Sequence, residues 1–369
     1  MKFAFFGSSL VSAYWNGAAT YYRGLIRNLN QRGHHVTFYE PDAFERQDHR
    51  DMPDPPWAKV VVYGVDDQEP LRRALHDAAS ADVIVKASGV GVFDRELEAA
   101  VLELKQPHNL VLFWDVDAPA TLDRLRHDPE DPLRALVPQY DLICTYGGGP
   151  PVVEAYLALG ARHCQPIYNA LDVTTHHPVD ADPRFDANLA FLGNRLPDRE
   201  ARVEQFFLNP ARALPQQRFL LGGSGWDDKS LPSNVDYLGH IYTRDHNAFN
   251  GTPGAVLNIS RESMARYGWS PATRVFEAAG AGACLITDHW RGLERFLEPG
   301  NEVLVAHDGA EVAAHLDALT PARARRIGQA ALARVRAEHT YAHRAAQLDA
   351  LLQGVDSLPT ATTHMGAAS

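Results

Sequence analysis

The chain alternates short apolar runs with segments of helical period up to about residue 175, and a second such series begins at Leu189. This rhythm is typical of βαβ units, whose parallel strands are buried beneath helices. The first series predicts strands at Phe3–Phe6, Val36–Tyr39, Val60–Tyr63, Val83–Lys86, Leu110–Trp114 and Leu142–Thr145. The second series predicts strands at Leu189–Leu192, Arg218–Leu221, Val235–Leu238, Val256–Ile259, Cys284–Thr287 and Val303–Val305. We therefore expect an α/β protein with two parallel sheets.

The length of 369 residues exceeds what one hydrophobic core usually organises, so two domains are expected. A break that is rich in Pro and Asp separates the two strand series. We place the first domain at residues 1–170 and the second, with its C-terminal helices, at residues 171–352. Residues 353–369 are small, polar and without pattern, and we expect a disordered tail there.

Composition excludes several classes of protein. A net charge of -11 argues against broad electrostatic binding of nucleic acid or anionic lipid. The three cysteines are too few and too scattered for a disulfide framework or a metal knuckle. No run approaches the roughly 20 apolar residues that span a bilayer. The sequence thus indicates a cytoplasmic protein, and a peripheral association with a membrane stays open because acceptors can be lipids. Its histidines stand singly or in loop pairs without metal spacing, so no bound metal is expected.

The loop after the first strand ends at Asn16 and Gly17, and in a doubly wound sheet it would lie at the ligand-binding edge. It lacks the Gly-x-Gly-x-x-Gly spacing of nicotinamide and flavin binders, which weakens a dehydrogenase interpretation. Gly17 would allow a donor molecule to approach the backbone, and Asn16 would offer a polar side chain beside it. The alternative is a mobile loop that contacts no ligand.

A second segment combines a helix start with a carboxylate. Ser270 suits the N-cap and Pro271 the first helical position, so we expect a helix whose free N–H groups receive a diphosphate. Glu277 follows about two turns later, where its acceptor-only oxygens suit a ribose diol. Gly280 and Gly282 then end the helix. Taken alone, one glutamate on a capped helix is equally well a solvated surface residue.

Glu277–Thr287 followed by Gly292–Val305 resembles the donor-binding segment of GT-B glycosyltransferases. The resemblance is closest to the CgeB-like branch, which is named for a spore-maturation protein and is related to the large group of retaining enzymes. Asn169–Asp172 resembles the hinge of that family, and together the likeness covers most of residues 140–345. It implies two facing Rossmann-like domains with a nucleotide sugar in the cleft between them. It also implies that the last helix crosses back to the first domain, and that no metal or cofactor is needed.

The same resemblance implies roles for individual residues. Glu277 would contact the nucleotide ribose. The phosphates or the sugar would be held by Ser270, Pro271, Ala272, Thr273 and Arg274. Arg195 and Arg199 stand where related enzymes place basic residues that neutralise the leaving diphosphate, a role that suits the guanidinium fork. The alternative is that they pair on the surface with Asp198 or Glu200.

One position departs from the family pattern. Retaining relatives carry two glutamates eight positions apart, but Trp269 stands eight residues before Glu277. Sugar recognition and the retaining assignment therefore lack one of their usual supports. Trp269 could stack on a sugar or base through its flat face, or it could be an ordinary core aromatic.

In the first half, Asp115 and Asp117 end a strand and are expected to face the cleft on the acceptor side. If the enzyme inverts configuration, one of them would be the general base that takes the acceptor proton. If it retains configuration, both would orient the acceptor. The structural alternative is that Asp117 caps the helix that opens at Pro119.

The sequence thus predicts metal-independent, retaining transfer of a sugar from a nucleoside-diphosphate sugar to an acceptor that is a small molecule, a lipid or a protein. Nucleic acid is not an expected partner. Two other functions stay open. One is a sugar-nucleotide epimerase or hydrolase on the same fold, and the other is a non-catalytic relative that binds a glycan or a protein partner.

Overall fold

The computed structural model describes residues 1–14 and 16–354 of the chain. From residue 355 onward, the tail expected over 353–369 lies outside the described residues. Among the described helices, none combines the length and apolar character that a membrane-spanning helix requires.

The polypeptide divides into two compact units. The first consists of Met1–Tyr168 together with the described residues from Ala342 to Gly354, and the second is Asn169–Tyr341. The division after residue 168 lies two residues before the one expected from sequence. Each unit is built around its own sheet.

Seven strands form the sheet of the first unit. They are β1 (Lys2–Phe6), β2 (His35–Pro41), β3 (Lys59–Tyr63), β4 (Val83–Ala87), β5 (Leu110–Asp115), β6 (Leu142–Thr145) and β7 (Cys164–Pro166). Their order is β3-β2-β1-β4-β5-β6-β7, and all neighbours are parallel. Because helices cover both faces of such a sheet, its strands are continuous apolar runs, and all five residues of β4 are buried. The first six strands follow the order of doubly wound nucleotide-binding folds.

The helices of the first unit lie between these strands. They are α1 (Ala19–Gln31), α2 (Glu69–Ala78), α3 (Asp94–Glu103), α4 (Ala118–His127), α5 (Leu133–Leu136) and α6 (Gly149–Ala158). Helix α1 buries Tyr22, Leu25, Ile26 and Leu29 as its period predicts. Gly33, at φ +87°, then reverses the chain into β2, which a left-handed glycine does without steric cost.

The second unit repeats this architecture with six parallel strands. They are β8 (Leu189–Leu192), β9 (Phe219–Gly222), β10 (Val235–Gly239), β11 (Ala255–Asn258), β12 (Leu285–Asp288) and β13 (Leu304–Ala306). Their order, β10-β9-β8-β11-β12-β13, is the same 3-2-1-4-5-6 pattern.

Seven helices accompany this second sheet. They are α7 (Pro197–Val203), α8 (Asn209–Ala213), α9 (His246–Gly251), α10 (Glu262–Tyr267), α11 (Thr273–Gly280), α12 (Gly309–Ala318) and α13 (Pro321–Glu338). A π-helical turn over Glu204–Leu208 joins α7 to α8.

The last helix, α14 (Tyr341–Gly354), groups with the first unit from Ala342 onward. Its Asp349 is buried and pairs with both His34 and Arg32 in the turn between α1 and β2. Arg344 adds a hydrogen bond from Nε to the carbonyl of Tyr168 at 3.1 Å. Charged side chains inside the unit therefore anchor this helix to it.

The predicted fold class is confirmed, since both sheets are parallel and of the Rossmann-like type. Every predicted strand is present, with its ends within two residues of the expected ones. Strand β7 is absent from the prediction, because this strand at the sheet edge has three residues and is too short to show periodicity.

Candidate functional site in the second unit

Helix α11, which carries Glu277, begins later than predicted. Its first residue is Thr273, and no side chain of the described residues caps it. Gly268 and Trp269 have φ values of +75° and +42°, and this left-handed turn directs Ser270 backward. The Ser270 hydroxyl donates to the carbonyl of Gly268 at 3.0 Å instead of capping the helix. The predicted cap at Ser270, with Pro271 as the first helical residue, is therefore wrong.

The end of α11 is as predicted. The N–H of Gly282 donates to the carbonyl of Ala279, and that of Ala283 donates to Ala278, both at 3.0 Å. This is the Schellman pattern, which needs a left-handed residue, and Gly282 supplies it at φ +78°. Gly280 is the last helical residue.

Gly280 also allows a neighbouring segment to lie against the helix. A Cβ at this position would be 2.3 Å from Cδ1 of Leu171 and 3.4 Å from the carbonyl oxygen of His176. Asp172 shapes the intervening turn, since its carboxylate accepts the N–H of Thr174 at 3.0 Å and its carbonyl accepts that of His176 at 2.9 Å. The missing side chain at residue 280 and the Asp172 turn together bring His176 beside α11.

Glu277 is buried among cationic and imidazole groups. Its Oε1 lies 3.8 Å from Nε2 of His176, and its Oε2 lies 3.4 Å from Nη1 of Arg274. Ligand atoms of His176, His246 and Glu277 lie within 4.8 Å of one another. Burial raises the pKa of Glu277, but Arg274 and the two histidines outweigh it and hold the pKa below its ordinary value. The carboxylate is thus ionised, yet it forms no hydrogen bond within the described chain.

His246 is the first residue of α9 and faces the same cluster. Its Nε2 lies 3.2 Å from the carbonyl oxygen of Ile241. Its Nδ1 is buried and has no hydrogen-bond partner among the described residues. Burial, reinforced by the charge of Arg274, lowers the pKa of His246 to about 4. The imidazole is therefore neutral at pH 7.

Asn247 connects α9 to the turn that ends at His176. Its Nδ2 donates to the carbonyl of Thr175 at 2.9 Å, and its Oδ1 accepts the N–H of His177 at 3.3 Å. The Thr175 hydroxyl lies 2.9 Å from Nδ1 of His176. Sequence reasoning missed His176 and His246, because 70 positions separate them and only the fold brings them together.

Two arginines add positive charge to this part of the unit. Nη1 of Arg274 donates to Oδ1 of Asn250 at 3.2 Å, and Nη2 of Arg199 donates to the carbonyl of Asn194 at 2.6 Å. The Nε atoms of both arginines are buried without a partner in the residues that the structure describes. Burial, together with the nearby charge of Arg274, lowers the pKa of Arg199 to about 10. Arg199 therefore stays cationic at neutral pH.

Arg195 is engaged in ion pairs. Its Nε and Nη2 donate to the Glu200 carboxylate at 2.9 and 2.8 Å, and its Nη1 donates to Asp228 at 2.6 Å. This bidentate geometry uses the whole guanidinium fork. The surface-pairing alternative therefore describes Arg195, whereas Arg199 is half-buried and close enough to Arg274 for the two charges to interact.

A glycine-rich segment over Gly222–Gly225 begins at the last residue of β9, and sequence reasoning gave it no role. Gly223 has a φ of +117°, and a Cβ there would lie 2.3 Å from the carbonyl oxygen of Gly193. The N–H of Ser224 donates to Oδ1 of Asn194 at 2.9 Å. Two loops thus meet backbone to backbone at the carboxyl edge of the sheet, where this fold class binds ligands. The available signal was the Gly-Gly-Ser-Gly run directly after a strand.

Trp269 packs against its own unit. The Arg291 guanidinium lies 4.3 Å from the centre of its ring, and a Cβ at Gly292 would lie 2.1 Å from its Cδ1. Its N–H donates to the carbonyl of Arg291 at 2.6 Å. Trp269 is only partly buried, so these contacts do not make it a core aromatic, and its stacking on a sugar or base stays a prediction.

In the first unit, both carboxylate oxygens of Asp115 accept hydrogen bonds from neighbouring residues. Asp115 is fully buried and accepts hydrogen bonds from Ser88 Oγ at 2.7 Å, Thr121 Oγ1 at 3.0 Å, the N–H of Asp117 at 3.0 Å, and the hydroxyl of Tyr156. A general base must reach a substrate proton, and this carboxylate is fully buried with all four hydrogen bonds made to residues of its own unit. Asp117 occupies the N-cap position of α4, as the structural alternative proposed, but its side chain does not bond the helix N–H groups.

Asn16 and Gly17 differ in their surroundings. Nδ2 of Asn16 donates to the carbonyls of Ser9 and Ser12 at 2.8 and 3.0 Å, and its Oδ1 accepts from the Ser8 hydroxyl at 2.9 Å. Its amide therefore holds the loop together. Gly17 is exposed, and a Cβ there would have no neighbour within 4 Å.

Residues 199–350, which include Glu277, match the model of a family described as glycosyl transferase-like. No curated protein matches the sequence.

Solved structures match nearly the whole chain. HepE from Anabaena, in complex with UDP-glucose, is 14% identical with a TM-score of 0.66 over 96% of this chain and 100% of HepE. Sucrose-phosphate synthase from Thermosynechococcus elongatus is 16% identical with a TM-score of 0.68, over 97% and 99% of the two chains. The T4 phage enzyme BGT, in complex with its UDP-glucose substrate, is 13% identical with a TM-score of 0.61, over 96% and 100%. The chain therefore has the GT-B fold.

Proposed function

We propose that the protein is a glycosyltransferase that passes a sugar from a nucleoside-diphosphate sugar to a hydroxyl or amine acceptor. The observation that carries the proposal is Glu277, a buried and ionised carboxylate with no hydrogen bond in the described chain. It stands on α11, inside the residues that match the glycosyl transferase-like family. A ribose diol supplies two O–H donors and would complete the hydrogen bonding of such a carboxylate.

The diphosphate would lie at the start of α11. No described side chain caps this helix, so its first N–H groups are available to an anion, and the helix dipole favours negative charge there. The unpartnered Nε atoms of Arg199 and Arg274 offer further donors. Guanidinium groups stabilise the charge that grows on a leaving diphosphate. We therefore propose that catalysis is metal-independent.

UDP is the nucleotide that we would test first. HepE and the T4 phage enzyme were both solved with UDP-glucose. The resemblance of Glu277–Thr287 to the CgeB-like branch supports a place near that branch. All three cysteines are free thiols, which suits the reducing cytoplasm.

We further propose that transfer retains configuration, which needs no side chain as a general base. The commitment of Asp115 to four hydrogen bonds supports this, since it removes one of the two candidate bases. Proton NMR of a freshly formed glycoside would identify its anomer. An inverted anomer would refute retention, and Asp117 would then be the candidate general base.

The function is tested by measuring thermal stabilisation of the protein by UDP, GDP, TDP and ADP. We expect one of them to raise the melting temperature, because a ligand that binds only the folded state stabilises it by mass action. Incubation with the matching nucleotide sugar alone should leave its sugar moiety unisomerised. Isomerised sugar would indicate an epimerase, rapid release of free sugar a hydrolase, and the absence of any nucleotide effect would refute the proposal.

A further inference from the structure

The Glu277 cluster contains two imidazole nitrogens without partners. Nε2 of His176 and Nδ1 of His246 are both buried, and neither has a hydrogen-bond partner within the described residues. Burying a polar atom without a partner is costly, so two such atoms in one cluster indicate a ligand-binding site.

The proton positions of His246 follow from its neighbour. A carbonyl oxygen only accepts, so the contact of Nε2 with Ile241 at 3.2 Å requires the hydrogen to be on Nε2. In the neutral imidazole, Nδ1 then carries a lone pair that faces the cluster. In His176, the Thr175 hydroxyl at 2.9 Å from Nδ1 can hold the ring with a lone pair on Nε2. Contacts of this kind orient the ligands of metal sites.

The two oxygens of Glu277 face different neighbours. Oε1 faces His176 at 3.8 Å, whereas Oε2 faces Arg274 at 3.4 Å. Oε1 is thus available to a cation, while the Arg274 guanidinium orients Oε2. The charge of Arg274 opposes a second cation, so binding should be weaker than in a structural zinc site.

We propose that His176, His246 and Glu277 bind a divalent transition-metal ion of the zinc class. Two imidazoles and one carboxylate within 4.8 Å form a set of nitrogen and oxygen ligands that Zn²⁺, Co²⁺ and Ni²⁺ accept, with water completing the coordination. Ligand atoms of tetrahedral zinc lie roughly 3.3 Å apart, closer than the 4.8 Å within which these atoms lie. The three side chains therefore move closer together when the ion binds.

The site has a consequence that rests on the proposed function. A metal ion on Oε1 of Glu277 would occupy one of the two oxygens that the proposed ribose diol uses. Metal and nucleotide therefore compete, and the ion acts as an inhibitor of donor binding, which agrees with metal-independent catalysis.

The test is calorimetric titration of Zn²⁺ into the chelator-treated whole chain without nucleotide. We expect one ion per chain, and His176→Ala and His246→Ala should each weaken binding by more than about 100-fold, since loss of an outer-shell contact alone costs 10–100-fold. His307→Ala, at an exposed histidine paired with Glu311, is the matched control and should bind as the wild type does. Circular dichroism and melting temperature verify that each variant is folded.

X-ray absorption of the wild-type zinc complex provides a measurement that needs no variant, and we expect two imidazole ligands. No zinc binding, or zinc binding that His307→Ala removes and His246→Ala retains, would overturn the proposal. Titration of UDP separates the two ideas. Zinc binding without UDP binding would support the metal site and refute the proposed donor function. UDP binding without zinc binding would support the donor function and refute the metal site.

Discussion

Replacing Asp115 by Asn tests whether this carboxylate is structural. Its two oxygens accept four hydrogen bonds in a fully buried position, including one from the Tyr156 hydroxyl. An amide of the same size keeps one acceptor but points an N–H₂ group at donors, and it removes the charge that strengthens each bond. Hydrogen bonds to charged groups contribute about 1.5–3 kcal/mol each, so a net loss of about 3 kcal/mol is expected, because the network relaxes in part.

Differential scanning calorimetry measures this loss. For a unit of this size, about 3 kcal/mol lowers the melting temperature by roughly 6–12 °C. Asp66→Asn, at an exposed position in the same unit, is the matched control and should melt within about 2 °C of the wild type. If Asp115→Asn melted as the control does, the stabilising role would be refuted. Well below the transition, the variant should retain sugar transfer, and complete loss of transfer with an intact fold would indicate a catalytic role instead.

Three further substitutions test specific contacts of the structure. Gly280→Ala would place a Cβ 2.3 Å from Leu171, so urea unfolding should show a loss of about 2 kcal/mol, and unchanged stability would exclude the tight packing of α11. Asp349→Asn breaks a buried ion pair that anchors α14, so amide hydrogen exchange in that helix should accelerate as its docking weakens by about 3 kcal/mol; exchange at the wild-type rate would contradict this. Arg274→Met should weaken UDP binding by about 10-fold to 100-fold in calorimetry. Arg195→Met, at a surface ion pair, is the control and should change UDP binding by less than about 2-fold. Equal effects of the two substitutions would refute a specific role of Arg274 in binding the diphosphate.

The fold could be predicted from sequence because its signals are local. Each strand is a short apolar run between turn residues, and α1 shows its buried face at helical spacing. The glycines that end α11 are equally local, since Gly282 supplies the left-handed residue that a Schellman motif needs. The edge strand β7 escaped detection because three residues carry no period.

The site could be predicted only in part, because its geometry depends on contacts distant in sequence. Glu277 was found through a segment pattern, but His246 lies 31 positions before it and was brought close by the packing of α9. The predicted cap failed because two left-handed residues before Ser270 turn its hydroxyl to Gly268. A carboxylate at a strand end gives no sign in sequence of whether it is exposed, and Asp115 is buried among donors that come from other elements.

The central claim is that the Glu277 carboxylate binds the ribose of a nucleoside diphosphate, and calorimetric titration of UDP in the presence of a chelator tests it most directly. The wild type should bind one UDP per chain, and Glu277→Gln should bind it about 10-fold to 100-fold more weakly, because the amide keeps one acceptor oxygen but loses one hydrogen bond to a charged acceptor. Glu294→Gln, an exposed glutamate in the same unit, should bind like the wild type. UDP binding of equal strength in the wild type and in Glu277→Gln would contradict the account.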